Sequence, residues 1–149
     1  MRIQYLSDLH LEHYHNLKIP SIFRKIIIES VGDVLILAGD IGYPFEKHYK
    51  DFIQFISDKY EKIFVILGNH EYYKTHLNPV KVILEIIKPY KNITLLDDNY
   101  EIYKGYCFIG TTLWSNVLDI EMAYKYKIND LFNIKNCDSI EDYNQLHNK

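Results

Sequence analysis

Asp8, His10, Asp40, Asn69 and His70 are the residues of this 149-residue chain whose types and spacing could do chemistry. Each stands just after an apolar run. Asp8 and His10 follow IQYL at Ile3 to Leu6, Asp40 follows VLILA at Val34 to Ala38, and Asn69 and His70 follow IFVIL at Ile63 to Leu67. Such Ile/Val/Leu/Tyr-rich runs, each ended by a small residue, read as buried strands with a polar loop at the carboxyl end. In an open α/β sheet the ligand sits outside the carboxyl ends of parallel strands, so three such loops side by side gather all five residues into one cluster. Carboxylate, imidazole and carboxamide donors together favour Mn²⁺, Fe²⁺ or Zn²⁺ over calcium, because imidazole is a poor ligand for a hard ion and no thiolate is near. Asp40 offers a carboxylate able to bridge two cations, and Asn69 adds a neutral oxygen.

The elements that must position this cluster follow from periodicity and punctuation. The first strand, about Arg2 to Leu6, runs into a polar loop without helical periodicity (SDLHLEHYHNLK). Pro20 and Ser21 then open a helix, SIFRKIIIES, that Gly32 closes. After the Gly39-Asp40 turn, Phe45, Tyr49, Phe52, Ile53, Ile56 and Tyr60 recur at helical spacing and predict a crossover helix from Phe45 to Tyr60. Asn78 and Pro79 form an N-cap and first-turn pair for a helix through about Lys88. The order β-α-β-α-β-α predicts a parallel sheet with right-handed crossovers. Beyond it come a short strand at Ile93 to Leu96 and a hairpin with Lys104-Gly105 at its tip. TTLWSN then reads as a loop, Asp119 to about Lys127 as a helix and Asn129-Asp130 as a turn. Ser139 with Asp142 three residues on is a capping signature for a last helix.

Composition bounds the class. At 149 residues, 48% hydrophobic and 15% aromatic, the chain reads as one domain, residues 1–149, with a core of its own. A net charge of −3 and only two arginines, Arg2 and Arg24, lack the basic footprint of a nucleic-acid binder. Cys107 and Cys137 are too few for a disulfide framework and read as intracellular thiols. The early apolar stretch is cut by Asp8 and His10, against a signal peptide or membrane anchor, so the cytoplasm is the expected location.

The segments DLH at Asp8 to His10, GD at Gly39-Asp40 and GNHE at Gly68 to Glu71, each after a strand and in this order, resemble the first three signatures of the calcineurin-like metallophosphoesterases. FIGTTLWSN and IND, at Phe108 to Asn116 and Ile128 to Asp130, are similar to later segments of a bacterial-type branch. The resemblance implies the first sheet layer of a metallophosphoesterase-type α/β sandwich. It also implies roles: Asp8 and His10 on one metal, Asp40 bridging, Asn69 on a second, and His70 assisting the leaving group. The implied reaction is hydrolysis of a phosphomonoester or phosphodiester by hydroxide formed between two cations that lower its pKa and clamp the phosphoryl oxygens. His70 as imidazolium would donate a proton to the leaving alkoxide, and Glu71 would orient that histidine or its helix.

The sequence also departs from the family. A later strand ending in histidine and a Gly-His-x-His segment, which complete both metal sites in family members, have no counterpart, since after His76 the only histidine is His147. On this reading the domain is truncated on its C-terminal side, and both cations would be short of protein ligands. The missing second sheet would leave an apolar face to be covered by a partner chain or by self-association. The alternative is therefore a shortened, non-catalytic module of the same fold that binds a partner chain. Beside these, His13 and His15 read as solvated loop residues, His48 as a residue of a polar helix face, and Trp114 as packing.

Overall fold

The computed structural model describes residues 1–14, 31–118, 121, 128–135, 137 and 139–148. Four strands, β1 (Ile3–Leu6), β2 (Val34–Ala38), β3 (Lys62–Ile66) and β4 (Ile93–Leu96), form one parallel sheet in the order β1-β2-β3-β4. Because the order is sequential, right-handed crossovers bring the connecting helices to a single face. Helices α1 (Lys47–Ile56) and α2 (Pro79–Ile87) lie there, with Phe52, Ile53, Ile56, Ile83 and Ile87 packed on Leu35, Leu37, Ile63, Val65 and Leu95. This is the mixed α/β layer with a parallel sheet that the sequence predicts.

The fourth strand has the bounds expected of it, and α2 starts as expected, with Asn78 Oδ1 accepting the Lys81 N–H at 3.3 Å. Helix α1 is shorter than its apolar stripe. Phe45, 40% exposed, stacks on Tyr43 at 5.4 Å before the helix begins, and Tyr60 is buried from the loop beyond its end, so neither ring lies on the helix. The helices expected at SIFRKIIIES and at Asp119 to Lys127 lie outside the described residues.

The hairpin of β5 (Asn99–Tyr103) and β6 (Tyr106–Gly110) forms as read. Both tip residues are left-handed, Lys104 at φ 49° and Gly105 at φ 81°, the arrangement that matches strand twist in a two-residue loop. The hairpin covers part of the helix-free face of the sheet. Phe108 stacks on the fully buried Phe64 with centroids 4.4 Å apart, and Tyr103 meets the same ring edge-on. Lys62, also buried beneath the hairpin, reaches Glu101 at 2.6 Å and Thr94 Oγ1 at 2.7 Å. On the β1 side this face stays open, with Ile3 48% and Tyr5 75% exposed.

Two short elements depart from expectation. Leu11–Tyr14, within the loop read as lacking helical character, is a 3-10 turn that buries Leu11 and Glu12. Asn129-Asp130, read as a turn, instead starts the single-turn helix α3 (Asp130–Asn133). The last helix, α4 (Ile140–His147), is capped as predicted, Ser139 Oγ accepting the Asp142 N–H at 3.0 Å. Its Tyr143 packs with Val117, Cys137 and Trp114 in a small second core, which gives Trp114 the packing role expected of it. Cys107 and Cys137 are unbridged, and among the described residues no helix is long and apolar enough to cross a membrane.

Phe64→Ala should cost about 3 to 5 kcal/mol, as for other buried rings. In urea unfolding followed with amide exchange, hairpin protection should fall before that of the four-stranded sheet. A loss below about 1 kcal/mol, typical of a surface change, would show that the hairpin is not seated on this ring.

Candidate metal centre

The carboxyl ends of β1, β2 and β3 carry their polar residues into three loops that are hydrogen-bonded in series. Asp8 N–H donates to Gly39 C=O at 3.1 Å, His10 N–H to Asp40 C=O at 3.0 Å and Leu11 N–H to Ile41 C=O at 2.9 Å. His70 N–H donates to Asp40 Oδ1 at 3.0 Å, tying the third loop to the second. The approach of those two loops requires Gly68, where a Cβ would fall 2.2 Å from Asp40 Oδ1 and 2.6 Å from its backbone nitrogen.

Glu71 holds the loops from within. Its fully buried carboxylate accepts N–H groups from Gly68 (2.6 Å), Asp40 (3.1 Å), Ile41 (2.8 Å) and Gly42 (3.2 Å). Burial, helped by the Asp40 charge, pushes the carboxyl up to about 7 against the opposing pull of these N–H donors. Of the two tasks expected of Glu71, orienting His70 or its helix, the hydrogen bonds seen fall on the backbone of the loops. Its oxygens are spent on backbone, because the turn at His70–Tyr72 points residue 71 inwards beneath the loops.

The residue that touches the histidine is Glu12, buried to 3% exposure. Its Oε1 lies 3.1 Å from His10 Nδ1 and 2.9 Å from His70 Nδ1. Burial works against its charge, but its own backbone N–H and the two imidazoles prevail and hold the carboxyl below the ordinary range. The two rings meet edge to face with centroids 4.3 Å apart, and His70 stacks on Tyr73 at 4.5 Å.

His10, Asp40 and His70 each bring a donor atom within 4.8 Å of the others. Asp8 is exposed and stands outside this closest set, joined to it through the backbone bond to Gly39. Asn69 immediately precedes His70 and its amide is fixed in sense: Nδ2 donates to Tyr73 Oη at 2.9 Å and to Asp130 Oδ1 at 2.6 Å. The carbonyl oxygen is then what the amide offers to a cation. Asp130 also accepts the hydroxyls of Tyr73 and of Tyr143, the latter at 3.1 Å. Burial and the Asp130 carboxylate both push the Tyr73 phenol far above its ordinary value. A cavity of about 290 Å³ adjoins this corner, lined by Asn69, Thr112, Trp114, Ser115 and Tyr143.

Three of these residues hold a left-handed backbone: Asp8 at φ 55°, His10 at φ 46° and Asp40 at φ 55°. Such positions cost on the order of 1 to 3 kcal/mol each and gather where chemistry needs them. Asp8, Glu12, Asp40, Glu71 and Asp130 bring five carboxyl groups to the region, and none makes an ion pair with a described lysine or arginine. Imidazole and carboxylate donors, a histidine oriented by a second carboxylate, and carboxylates without a described lysine or arginine partner together fit divalent transition metals.

Glu12 and Asp130 did not emerge as site residues from motif spacing alone. The signal for Glu12 was an acid two residues after His10, within a segment weighed for its histidines; for Asp130 it was the family-like IND segment.

Glu71→Gln sets an NH₂ donor against backbone donors and removes the charge. With hydrogen bonds to charged groups contributing about 1.5 to 3 kcal/mol each, the variant should lose at least about 3 kcal/mol in urea unfolding. An unchanged midpoint would mean that the loops do not depend on this carboxylate.

Comparisons with known proteins agree with this architecture. A family model described as calcineurin-like phosphoesterase matches residues 1–147. An uncharacterised protein of Acanthamoeba polyphaga mimivirus is 40% identical over 157 residues, which covers 93% of this chain and 54% of that protein. The crystal structure of phosphopantetheinyl hydrolase from Mycobacterium tuberculosis superposes with a TM-score of 0.60 at 16% identity, over 92% of this chain and 53% of that one, a likeness of fold. The chain spans about half the length of each. With strand order, loop motifs and family match in agreement along nearly its whole length, the chain belongs to the calcineurin-like phosphoesterase family.

Proposed function

We propose that this chain carries the site of a metal-dependent phosphoesterase, or the N-terminal part of one. In it Asp8, His10, Asp40 and Asn69 hold divalent cations, two in the complete site, of Mn²⁺, Fe²⁺ or Zn²⁺ character. The observation that carries the reading is the meeting of His10, Asp40 and His70 donors within 4.8 Å, at an edge whose carboxylates pair with no described lysine or arginine. When bound, the cations supply a water of lowered pKa as nucleophile and positive charge for the phosphoryl oxygens. Asp40 has one oxygen taken by the His70 N–H, so the carboxylate that serves the cations also fixes where the His70 turn begins. Asn69 presents its carbonyl oxygen because Tyr73 and Asp130 occupy its nitrogen. His70, stacked on Tyr73, would hold a proton for the departing alkoxide of a phosphomonoester or phosphodiester.

A closest donor set of three leaves each cation in need of more ligands. Ile3 and Tyr5 on the open face of the sheet, and Tyr100, Ile102 and Ile109 on the hairpin's outer side, are exposed apolar residues that favour a covering chain. The same exposure supports the second reading, a non-catalytic module whose use is to bind that chain.

Calorimetric titration with Mn²⁺ should show binding that Asp40→Asn and His10→Ala each weaken by at least about 10-fold. Mn²⁺-dependent hydrolysis of bis(p-nitrophenyl) phosphate, abolished by Asp40→Asn, would place catalysis in this chain. Binding without turnover leaves the module reading, and absence of binding at millimolar Mn²⁺ rejects the metal reading. In sedimentation velocity, species above the monomer mass should appear at high micromolar concentration and diminish in Tyr5→Glu; a strictly monomeric chain would remove self-association as the means of cover.

A further inference from the structure

Among the described residues Glu12 is the buried carboxylate that touches two imidazoles of the site, and nothing in the family match or in the spacing of the motifs gives it a task. Its position is costly. Glu12 Oε2 is buried without a hydrogen-bond partner, and an unsatisfied buried oxygen on an anion destabilises a fold. The left-handed turn at His10 and the close passage of Gly42, where a Cβ would lie 3.1 Å from Oε2, are what admit the side chain at all.

Oε1 faces Nδ1 of both His10 and His70. A carboxylate only accepts hydrogen bonds, and one of its oxygens has two lone pairs, enough for two donors. Each Nδ1 must therefore carry the hydrogen. A neutral ring with hydrogen on Nδ1 has its lone pair on Nε2, and a charged ring has its second, transferable proton there. We propose that Glu12 is a shared positioning residue that fixes both His10 and His70 as Nδ1–H tautomers, so that His10 offers Nε2 to a cation and His70 keeps Nε2 for proton transfer. This deepens the metal-dependent reading of the site and rests on it only for the use made of the two Nε2 atoms; the tautomers themselves stand on the geometry.

One carboxylate serving two rings also couples them. The rings lie 4.3 Å apart and edge to face, both against the same carboxylate oxygen. His13, whose ring is 5.8 Å from that of His10, is exposed; it brings a donor atom within 4.8 Å of donors on His10 and Glu12 but makes no described hydrogen bond to Glu12.

The test begins with the intact chain and needs no folded variant. Long-range ¹H–¹⁵N correlation spectra of the metal-free protein, at a pH where the imidazoles are neutral, should show both His10 and His70 protonated at Nδ1, against the Nε2–H form that unconstrained histidine favours in water. Either ring in the Nε2–H form would overturn the proposal. Glu12→Leu, checked for fold by circular dichroism, should return both rings to Nε2–H and weaken Zn²⁺ binding by about 10- to 100-fold, the usual effect of losing a carboxylate behind a ligating histidine. Glu12→Gln keeps a carbonyl acceptor and should retain Nδ1–H on at least one ring. Unchanged ring signals and unchanged Zn²⁺ affinity in Glu12→Leu would overturn the assignment. An intact chain that shows both Nδ1–H tautomers yet binds no cation would sink the metal reading and still support Glu12 as the residue that sets them.

Discussion

The carboxylate of Glu71 is the constraint on which the rest of the site depends. Four backbone N–H groups, one from the loop after β3 and three from the loop after β2, converge on its two oxygens beneath the surface. Backbone donors at the end of a strand have lost their sheet partners and are too buried for water, so an internal acceptor is the means left to satisfy them. By supplying it, Glu71 allows Asp40 and Asn69 to stand on irregular backbone without disordering it. The loop after β1 then attaches through Asp8 and His10 to the backbone carbonyls of Gly39 and Asp40, which are already fixed.

Two kinds of force thus divide the molecule. Below, Leu35, Leu37, Ile63 and Val65 are shut between sheet and helices, and apolar burial of this kind needs only shape and period. Above, Glu12, Glu71 and Asp130 each serve several donors at once, and such groups stabilise only when their hydrogen bonds are nearly complete. The parallel sheet makes the two compatible, since it delivers three irregular loops to one edge from a rigid base.

How much of this was legible in the sequence follows from the range of each interaction. The strands and the hairpin tip are local: an apolar run such as VLILA, or Lys104-Gly105 between alternating residues, contains its own signal. So do the caps at Asn78 and Ser139, whose partners lie three residues away. Glu12 meets His70 across 58 residues, and Asn69 meets Asp130 across 61, and no local pattern encodes either contact. Helix α1 ran short of its predicted length because periodicity registers the spacing of apolar residues, not whether the backbone between them is helical; Tyr60 is buried from beyond the helix, and Phe45, 40% exposed, stands before it. The identity of the donors was visible while their second partners were not.

The left-handed backbone at Asp8, His10 and Asp40 has a consequence for how such a chain would change over time. Glycine at any of the three would relax the main chain, and asparagine would tolerate it, yet either change weakens or deletes a donor. Drift under selection for folding alone would therefore erode these positions towards glycine and asparagine. Two aspartates and a histidine at these positions exchange that backbone ease for donor atoms at the sheet edge.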